Sequence, residues 1–415
     1  MHLIVSLKCY IQTLLKRFIL KFLEFLRKLC GGSLSWNCTW WKEFRGIELP
    51  QVSLCLVDMA EDVLGSVKLK GFFGNVSAKL GLLSFESSDG SRDVWSSKKS
   101  NPLSAVHLVV MVHGILGSAR DWKFAADKLV RTFPDKIFVH CSECNSSKLT
   151  LDGVDVMGER LADEVRELVN SNPHLRKISF IAHSVGGLVA RYAIGKLFKP
   201  SQADKIVGLE PINFITVATP HLGSHGNKQV PFLFGVPAIE KFASLVVHWI
   251  FKRTGKHLFL TDGENGEAPL LKRMVVDEFE YRFMSALHAF QRRVAYANVG
   301  YDHIVGWRTS SIRRNTELPK WEDFKDKKYP HVVFEEFCKS TDDAMRNLVN
   351  EGDCFDVLEE ELVKGLSHVS WEKVDISFHT SGLRFAAHSV IQVKDPMMHL
   401  EGADVVQHMI DHLIT

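Results

Sequence analysis

This sequence has little net charge and no regular cysteine framework. Its 415 residues include 51 Lys and Arg against 49 Asp and Glu, so the net charge at pH 7 is only +2. Nucleic-acid-binding proteins usually carry a clear basic excess, so the total charge gives no support for a nucleic-acid partner. The eight cysteines are scattered along the chain. Their distribution indicates a reducing, intracellular compartment rather than a secreted domain stapled by disulfides.

One cysteine pair, Cys141 and Cys144, has the C-x-x-C spacing found in redox and zinc sites. No second pair and no suitably spaced histidine completes a metal site, so we interpret these residues as two unlinked thiols. We therefore expect neither a metal ion nor an organic cofactor to be needed.

Basic charge is concentrated at the start of the chain. Residues 1–45 hold eight Lys and Arg against two Glu, a net charge of about +6, which leaves the remainder mildly acidic. Within residues 10–29, apolar side chains recur at helical spacing, and basic residues interrupt them too often for a membrane-spanning run. Such a helix could lie on an anionic membrane surface, direct the chain to a plastid or mitochondrion, or pack on the body. The sequence leaves these alternatives open.

From about residue 105 the chain alternates short apolar strands with amphipathic helices. This alternation is typical of an α/β fold with a mostly parallel central sheet and helices on both faces. We expect a catalytic domain over residues 105–415, preceded by a β-rich element over residues 46–104. The predicted strands are 107–112, 136–139, 177–181, 212–217, 294–299 and 373–378, and the predicted helices are 156–170, 187–198 and 402–414.

Two insertions interrupt the predicted catalytic domain. The first, at about residues 221–290, contains an apolar stretch over 230–251, and a loop of this length in a compact fold is often a functional lid. We expect it to be such a lid, with plain helix packing in the core as the alternative. The second insertion, residues 308–370, is highly charged, and we expect it to be solvated.

The segment Ala182-His-Ser-Val-Gly186 lies between a predicted strand and a predicted helix. A nucleophile elbow requires this context, because a sharp turn there lifts the serine hydroxyl above the edge of the sheet. Ala182 stands where the G-x-S-x-G pattern has its first glycine, and it still meets the need for a small side chain. Ser184 is therefore the predicted nucleophile.

A serine becomes a good nucleophile when a histidine accepts its proton and an acid holds that histidine in the required tautomer. In a fold of this kind the chain order is serine, acid, histidine, with each on a loop that follows a strand. Asp302 and His388 have these positions and are the predicted acid and base. The alternatives are Asp277 and Asp375 for the acid and His379 and His399 for the base.

The oxyanion formed during ester cleavage needs backbone N–H donors fixed in advance. The loop that begins at His113 follows the first strong strand, where such donors belong. We expect one donor to be the N–H of Ile115 and the other to be the N–H of Val185, directly after the nucleophile. His113 is predicted to shape this loop, and His221 to shape the wall of the site.

Several blocks of this sequence resemble one protein family. They are VHGILGSARDW (112–122), AHSVGGL (182–188), ATPHLG (218–223), RRVAYANVGYDHIVGWRTSSIRR (292–314) and FAAHSVIQVK (385–394). Together they are similar to the eukaryotic serine-esterase, lipase-like family of α/β-hydrolases, particularly its plant members. The resemblance covers residues 105–394 in blocks, contains all three triad positions and leaves out the basic N-terminal helix. It implies an α/β-hydrolase fold and an ester or lipid hydrolase that uses Ser184, Asp302 and His388.

The leading hypothesis is a carboxylic-ester hydrolase that acts on acyl lipids such as a monoacylglycerol or a phospholipid. The apolar stretch at 230–251 is then expected to cover the acyl chain. One alternative is an acyltransferase that uses the same triad and delivers the acyl group to an alcohol instead of water. The other is a non-catalytic, membrane-associated scaffold that has kept the fold. An intact triad disfavours the scaffold, because a scaffold has no need of all three side chains.

Overall fold

The computed structural model describes residues 105–199, 204–224, 251–263, 266–278, 281–320, 328–340 and 354–415. The predictions for the N-terminal helix (10–29), the β-rich element (46–104) and nearly all of the apolar stretch at 230–251 fall outside these residues. Within the described part, no helix is both long and apolar enough to cross a membrane.

Seven strands in the described residues form one sheet. They are β1 (His107–Val112), β2 (Ile137–Cys141), β3 (Lys177–His183), β4 (Glu210–Val217), β5 (Arg292–Asn298), β6 (Val332–Cys338) and β7 (Trp371–Ile376). The strand order is β2-β1-β3-β4-β5-β7-β6, and every neighbouring pair is parallel except β6 with β7. The six predicted strands are all present, with their bounds shifted by at most two residues.

Helices connect these strands. They are α1 (Lys123–Thr132), α2 (Val154–Ser171), α3 (Val185–Leu197), α4 (Leu270–Arg273), α5 (Phe283–Ala289), α6 (Trp307–Ser311), α7 (Cys354–Leu366), α8 (Ala387–Val390) and α9 (Ala403–Asp411). Residues 251–258 are also helical. Short 3₁₀ turns occur at Ala119–Trp122, Ser147–Leu151, Asn315–Glu317, Arg384–Ala386 and Leu400–Gly402.

The central strands are apolar throughout because the sheet is covered on both faces. In β1, Leu108 and Val110 pack into one buried cluster with α2 and α3, whereas Val109 and Met111 pack into a second cluster with α1 and α9. Burial on both faces is the reason that a parallel strand has an apolar run in place of an alternating pattern. A mostly parallel sheet between two layers of helices confirms the predicted α/β-hydrolase fold.

The segment 308–370 differs from the expected solvated insertion. It supplies β6, the antiparallel strand at the edge of the sheet, and α7, whose Leu362 and Leu366 are fully buried. β6 contains Glu335 and Glu336, and most of its side chains are exposed, as is common for strands at a sheet edge. The described part of this charged segment therefore includes an edge strand and a helix that packs on the core.

Candidate active site

The sheet places three loops next to one another at its carboxyl edge. β3, β4, β5 and β7 are consecutive parallel neighbours, so the loops that follow β3, β5 and β7 emerge on the same side. Ligand sites in parallel α/β sheets lie at this edge. The loops after β3 and β5 carry Ser184 and Asp302, and the chain beyond β7 carries His388.

Ser184 forms the sharp turn between β3 and α3. Its φ of 55° and ψ of −134° place a non-glycine residue in a sparsely populated conformation, a kind of strain that concentrates at functional sites. The Ser184 N–H donates to the Val217 carbonyl at 2.9 Å, which ties the turn to β4. A Cβ atom on Gly186 would lie 2.4 Å from the His113 carbonyl oxygen. The elbow therefore requires glycine at that position.

Ser184, His388 and Asp302 are joined in a continuous line of hydrogen bonds. His388 Nε2 lies 3.0 Å from Ser184 Oγ, and His388 Nδ1 lies 2.9 Å from Asp302 Oδ2. A carboxylate only accepts hydrogen bonds, so Nδ1 carries the proton and Nε2 is free to accept one from the serine hydroxyl. This tautomer is the one that a general base requires.

Asp302 is held as a carboxylate by its surroundings. Burial works against its ionisation, but His388 and hydrogen bonds from His388, Asn298 and the Val305 N–H lower the pKa of Asp302 below its ordinary value. Asn298 Nδ2 donates to Oδ2 at 2.9 Å, and the N–H groups of Ile304 and Val305 donate to Oδ1 at 3.1 and 2.9 Å. These contacts fix the orientation of the carboxylate as well as its charge.

His183 is a site residue that we did not predict. It precedes the nucleophile, and its Nε2 donates to the His388 carbonyl oxygen at 2.8 Å. The two imidazole rings have their centroids 4.6 Å apart. Burial, followed by the neighbouring His388, holds the pKa of His183 well below its ordinary value, so this ring stays neutral. The signal in the sequence was the second position of the elbow, Ala182-His-Ser.

The two alternative acids are engaged elsewhere. Asp375 is fully buried and accepts two hydrogen bonds from Arg313 at 2.9 and 2.8 Å and one from Trp307 Nε1 at 2.7 Å. Asp277 accepts from the N–H of Met284 at 2.8 Å, near the start of α5. The first carboxylate forms a buried ion pair, and the second caps a helix.

The two alternative bases also have other hydrogen-bond partners. His379 Nδ1 lies 3.0 Å from Ser377 Oγ, and its ring packs against Tyr301. His399 Nδ1 accepts from the Asp395 N–H at 3.1 Å. The structure brings His388, rather than either alternative, to hydrogen-bond distance of Ser184 Oγ.

The loop after β1 lies against the nucleophile, since a Cβ atom on Gly114 would be only 2.8 Å from Ser184 Cβ. Two N–H groups of this loop are already used: Leu116 donates to Thr150 Oγ1 at 2.8 Å, and Gly117 donates to the Gly114 carbonyl at 3.1 Å. For the N–H groups of Ile115 and Val185, no acceptor is found among the described residues. Val185 begins α3, where the first N–H groups of a helix have no partner within it.

His113 and His221 bond to nearby loop and strand atoms. His113 Nδ1 lies 3.0 Å from the Gly114 carbonyl oxygen. His221 Nε2 lies 3.0 Å from Thr216 Oγ1, and the fully buried His221 ring makes an edge-on contact with Trp371. These contacts fix the two rings, and a role of His113 and His221 in shaping the site stays a prediction.

A comparison with protein families identifies the group to which the chain belongs. Residues 102–312, just over half of the chain, match the family described as "Putative serine esterase (DUF676)". The chain is a member of this family. The match confirms the resemblance to serine esterases that the sequence motifs indicated, while the placement among plant members stays a prediction.

Curated relatives of this serine-esterase chain include yeast proteins. It is 28% identical over 214 residues to "Putative lipase C4A8.10" of Schizosaccharomyces pombe, covering 50% of the chain and 26% of that protein. It is 30% identical over 243 residues to "Putative lipase YDR444W" of Saccharomyces cerevisiae, covering 53% of the chain and 34% of that protein. The chain thus spans about a third or less of the length of these relatives.

Similarity to solved structures is weak. Phospholipase PlaB from Legionella pneumophila has a TM-score of 0.32 at 15% identity, over 47% of this chain and 38% of PlaB. The Bacillus licheniformis lipase BlEst2 has a TM-score of 0.31 at 18% identity, over 49% of this chain and 38% of BlEst2. The strand order, and not these two similarities, defines the fold of the serine-esterase chain.

Proposed function

We propose that this chain is a serine hydrolase that cleaves carboxylic esters through an acyl-enzyme on Ser184. The observation that carries the proposal is the unbroken line from Ser184 Oγ through His388 to the buried Asp302, with its two distances of 3.0 and 2.9 Å. Membership of the serine-esterase family supports the same reaction class. The line begins at a strained elbow on the carboxyl edge of the sheet, where a substrate can approach.

The proposed reaction has two halves. His388 Nε2 accepts the proton of Ser184 as Oγ attacks the ester carbonyl, and Asp302 stabilises the imidazolium that forms. The N–H groups of Ile115 and Val185 bind the oxyanion of the tetrahedral intermediate. His388 then gives its proton to the leaving alcohol, and the acyl group stays on Ser184. Water attacks this acyl-enzyme with His388 as the base, which releases the acid and restores the serine.

We infer that the natural esters are acyl lipids. Both yeast relatives carry the name "Putative lipase", which supports this substrate class. Monoacylglycerols and phospholipids both satisfy this description, so hydrolysis of each by the purified protein is the direct assay.

A fluorophosphonate probe tests the proposed nucleophile, because it reacts covalently with activated serines. We expect the wild type to be labelled on the peptide that contains Ser184, and Ser184→Ala to give no label. Ser389→Ala is the matched control, since it removes a serine next to His388 and should still be labelled. A wild type that stays unlabelled would support a scaffold in place of an enzyme.

We also propose a second role for this protein, contact with a membrane surface through the predicted basic helix at residues 10–29. Lys and Arg near an anionic surface contribute about 1 kcal/mol each, so the net charge of about +6 in residues 1–45 favours binding. Deletion of residues 1–45 should weaken sedimentation with phosphatidylserine liposomes, and added salt should weaken binding of the full chain. Hydrolysis of a water-soluble ester should survive, because Ser184, Asp302 and His388 lie elsewhere.

N-terminal sequencing of the protein from its own cell separates this membrane role from a transit peptide. An intact N-terminus together with liposome binding supports the membrane role. A mature protein that begins near residue 30–50 would instead identify the segment as a transit peptide. Failure of the full chain to bind liposomes, with its N-terminus intact, contradicts both and favours packing of the segment on the body.

A further inference from the structure

The geometry points to Thr150 as the residue that positions the proposed oxyanion donor Ile115, with Thr254 holding Thr150 in place. The inference rests on the proposed function, because it concerns the same oxyanion site. Thr150 lies in the 3₁₀ turn Ser147–Leu151, and Thr254 lies in the helical residues 251–258. Neither residue is close in sequence to Ser184, Asp302 or His388, and both are buried.

The hydroxyl of Thr150 makes two hydrogen bonds, one as acceptor and one as donor. It accepts from the N–H of Leu116 at 2.8 Å and donates to the Ser147 carbonyl at 2.6 Å. Leu116 has a φ of +54°, a left-handed conformation that is unfavourable for a side chain with a Cβ atom. Such a conformation persists when surrounding contacts enforce it. Thr150 supplies one of these contacts directly at the strained residue.

A second bond joins the same two loops. The N–H of Ser147 donates to the Gly117 carbonyl at 2.8 Å, and Ser147 also has a left-handed φ of +56°. The turn Gly114–Gly117 is thus held at Leu116 and at Gly117 by one neighbouring 3₁₀ turn. In this arrangement the N–H of Leu116 is turned away toward Thr150, while the preceding N–H, that of Ile115, has no acceptor among the described residues.

Packing around this contact is incomplete. Ile115, Thr150 and Val185 border a small cavity of about 10 Å³, about the volume of one water-sized sphere. A tightly packed wall would hold the turn by contact alone. Next to a cavity, the hydrogen bonds from Thr150 and Ser147 have a larger part in fixing the position of the Ile115 N–H.

Thr254 holds the backbone of Thr150 in place through a hydrogen bond. Its hydroxyl donates to the Thr150 carbonyl at 2.8 Å and accepts from the Gly153 N–H at 3.0 Å. One helical turn later, His257 Nδ1 accepts from the Val154 N–H at 3.0 Å. These two side chains satisfy N–H groups at the start of α2, which have no partner inside that helix. The helical residues 251–258 therefore anchor both Thr150 and α2.

A pair of substitutions at Thr150 tests this role. Thr150→Val keeps the shape of the side chain and removes the hydroxyl, and Thr150→Ser keeps the hydroxyl. Loss of an oxyanion donor lowers kcat by about 10²–10³-fold, so misplacing one in Thr150→Val should lower kcat about 10- to 100-fold for a short p-nitrophenyl ester. KM should change by less than about threefold, because the donor acts in the transition state. Thr150→Ser should restore kcat to within about threefold of the wild type.

A trifluoromethyl ketone inhibitor distinguishes positioning from loss of folded protein. Its adduct with Ser184 bears an oxyanion, so its Ki should rise in Thr150→Val by about the same factor as kcat falls. A purely structural role would reduce the number of active sites and leave the Ki of the remaining sites unchanged. The pH dependence of kcat/KM should also match that of the wild type, because the His388–Asp302 pair is untouched.

The same comparison between Thr254→Val and Thr254→Ser keeps the inference testable where Thr150→Val does not fold. Folded Thr150→Val, or folded Thr254→Val in its place, with wild-type kcat and Ki would overturn the inference. That failure differs from failure of the proposed function, in which the wild type itself does not react with the fluorophosphonate or the ketone. A raised Ki in the valine variant, reversed by serine, supports the inference.

Discussion

Ser184→Ala is expected to lower kcat/KM for a short p-nitrophenyl ester by about 10³-fold or more. The substitution removes the attacking oxygen, and His388 Nε2 loses the group whose proton it would accept. Little else changes, because the backbone bond from the Ser184 N–H to Val217 is independent of the side chain. We therefore expect a folded and nearly inactive protein. Steady-state kinetics and a thermal unfolding curve for the same preparation measure both quantities.

His388→Ala extends the test of Ser184. The two side chains act as a unit, so His388→Ala should be about as damaging as Ser184→Ala, and the double variant no worse than either. His379→Ala is the matched control, because its ring contacts Ser377 and Tyr301 and lies outside the proposed triad. Activity of Ser184→Ala within a few-fold of the wild type would remove Ser184 as nucleophile. Inactivation by His379→Ala, with His388→Ala fully active, would move the base to His379.

Asp302→Asn is expected to lower kcat by about 10³–10⁴-fold near neutral pH. The new amide could keep its oxygen on the N–H groups of Ile304 and Val305, which places its NH₂ group toward His388 Nδ1. Two donors cannot bond, so His388 would move its proton to Nε2, where it can no longer accept one from Ser184. The variant thus keeps the two backbone hydrogen bonds, but it loses the bond from Asn298 Nδ2 and the required tautomer of His388. Steady-state kinetics with the same p-nitrophenyl ester measure the loss.

The control for Asp302→Asn is Asp277→Asn. Asp277 was an alternative acid in the sequence, and it accepts backbone N–H bonds near the start of α5. Its amide variant should keep activity within about threefold and lose a little stability, as expected for a helix cap. A large loss of kcat in Asp277→Asn, with Asp302→Asn fully active, would show that Asp277 is the catalytic acid in place of Asp302.

The parallel core of the fold could be predicted because its strands are buried on both faces. Continuous apolar runs such as Leu108–Val112 are unmistakable in a sequence, and the elbow adds a strand-to-helix junction at Ser184. The edge strand β6 could not be predicted in the same way. Its side chains are mostly exposed, and Glu335 and Glu336 interrupt its apolar residues, so it lacks the continuous apolar run of a core strand.

The candidate site was predictable only where a residue is fixed by its place after a strand. Ser184, Asp302 and His388 have such places, and their hydrogen bonds place them together. His183 bonds to His388, which is 205 positions away in the chain, and Thr150 bonds to Leu116, which is 34 positions away. The elbow motif places His183 next to Ser184, but the partner that each of these side chains contacts depends on the packing of the whole sheet.

The most direct test of the central claim is to identify the acyl-enzyme itself. The wild type is mixed with an excess of a p-nitrophenyl ester, quenched with acid within the first turnovers, digested and measured by peptide mass spectrometry. We predict that the peptide containing Ser184 gains the mass of the acyl group, and that Ser184→Ala shows no such peptide. Rapid ester cleavage with the acyl group attached to another residue would contradict the account.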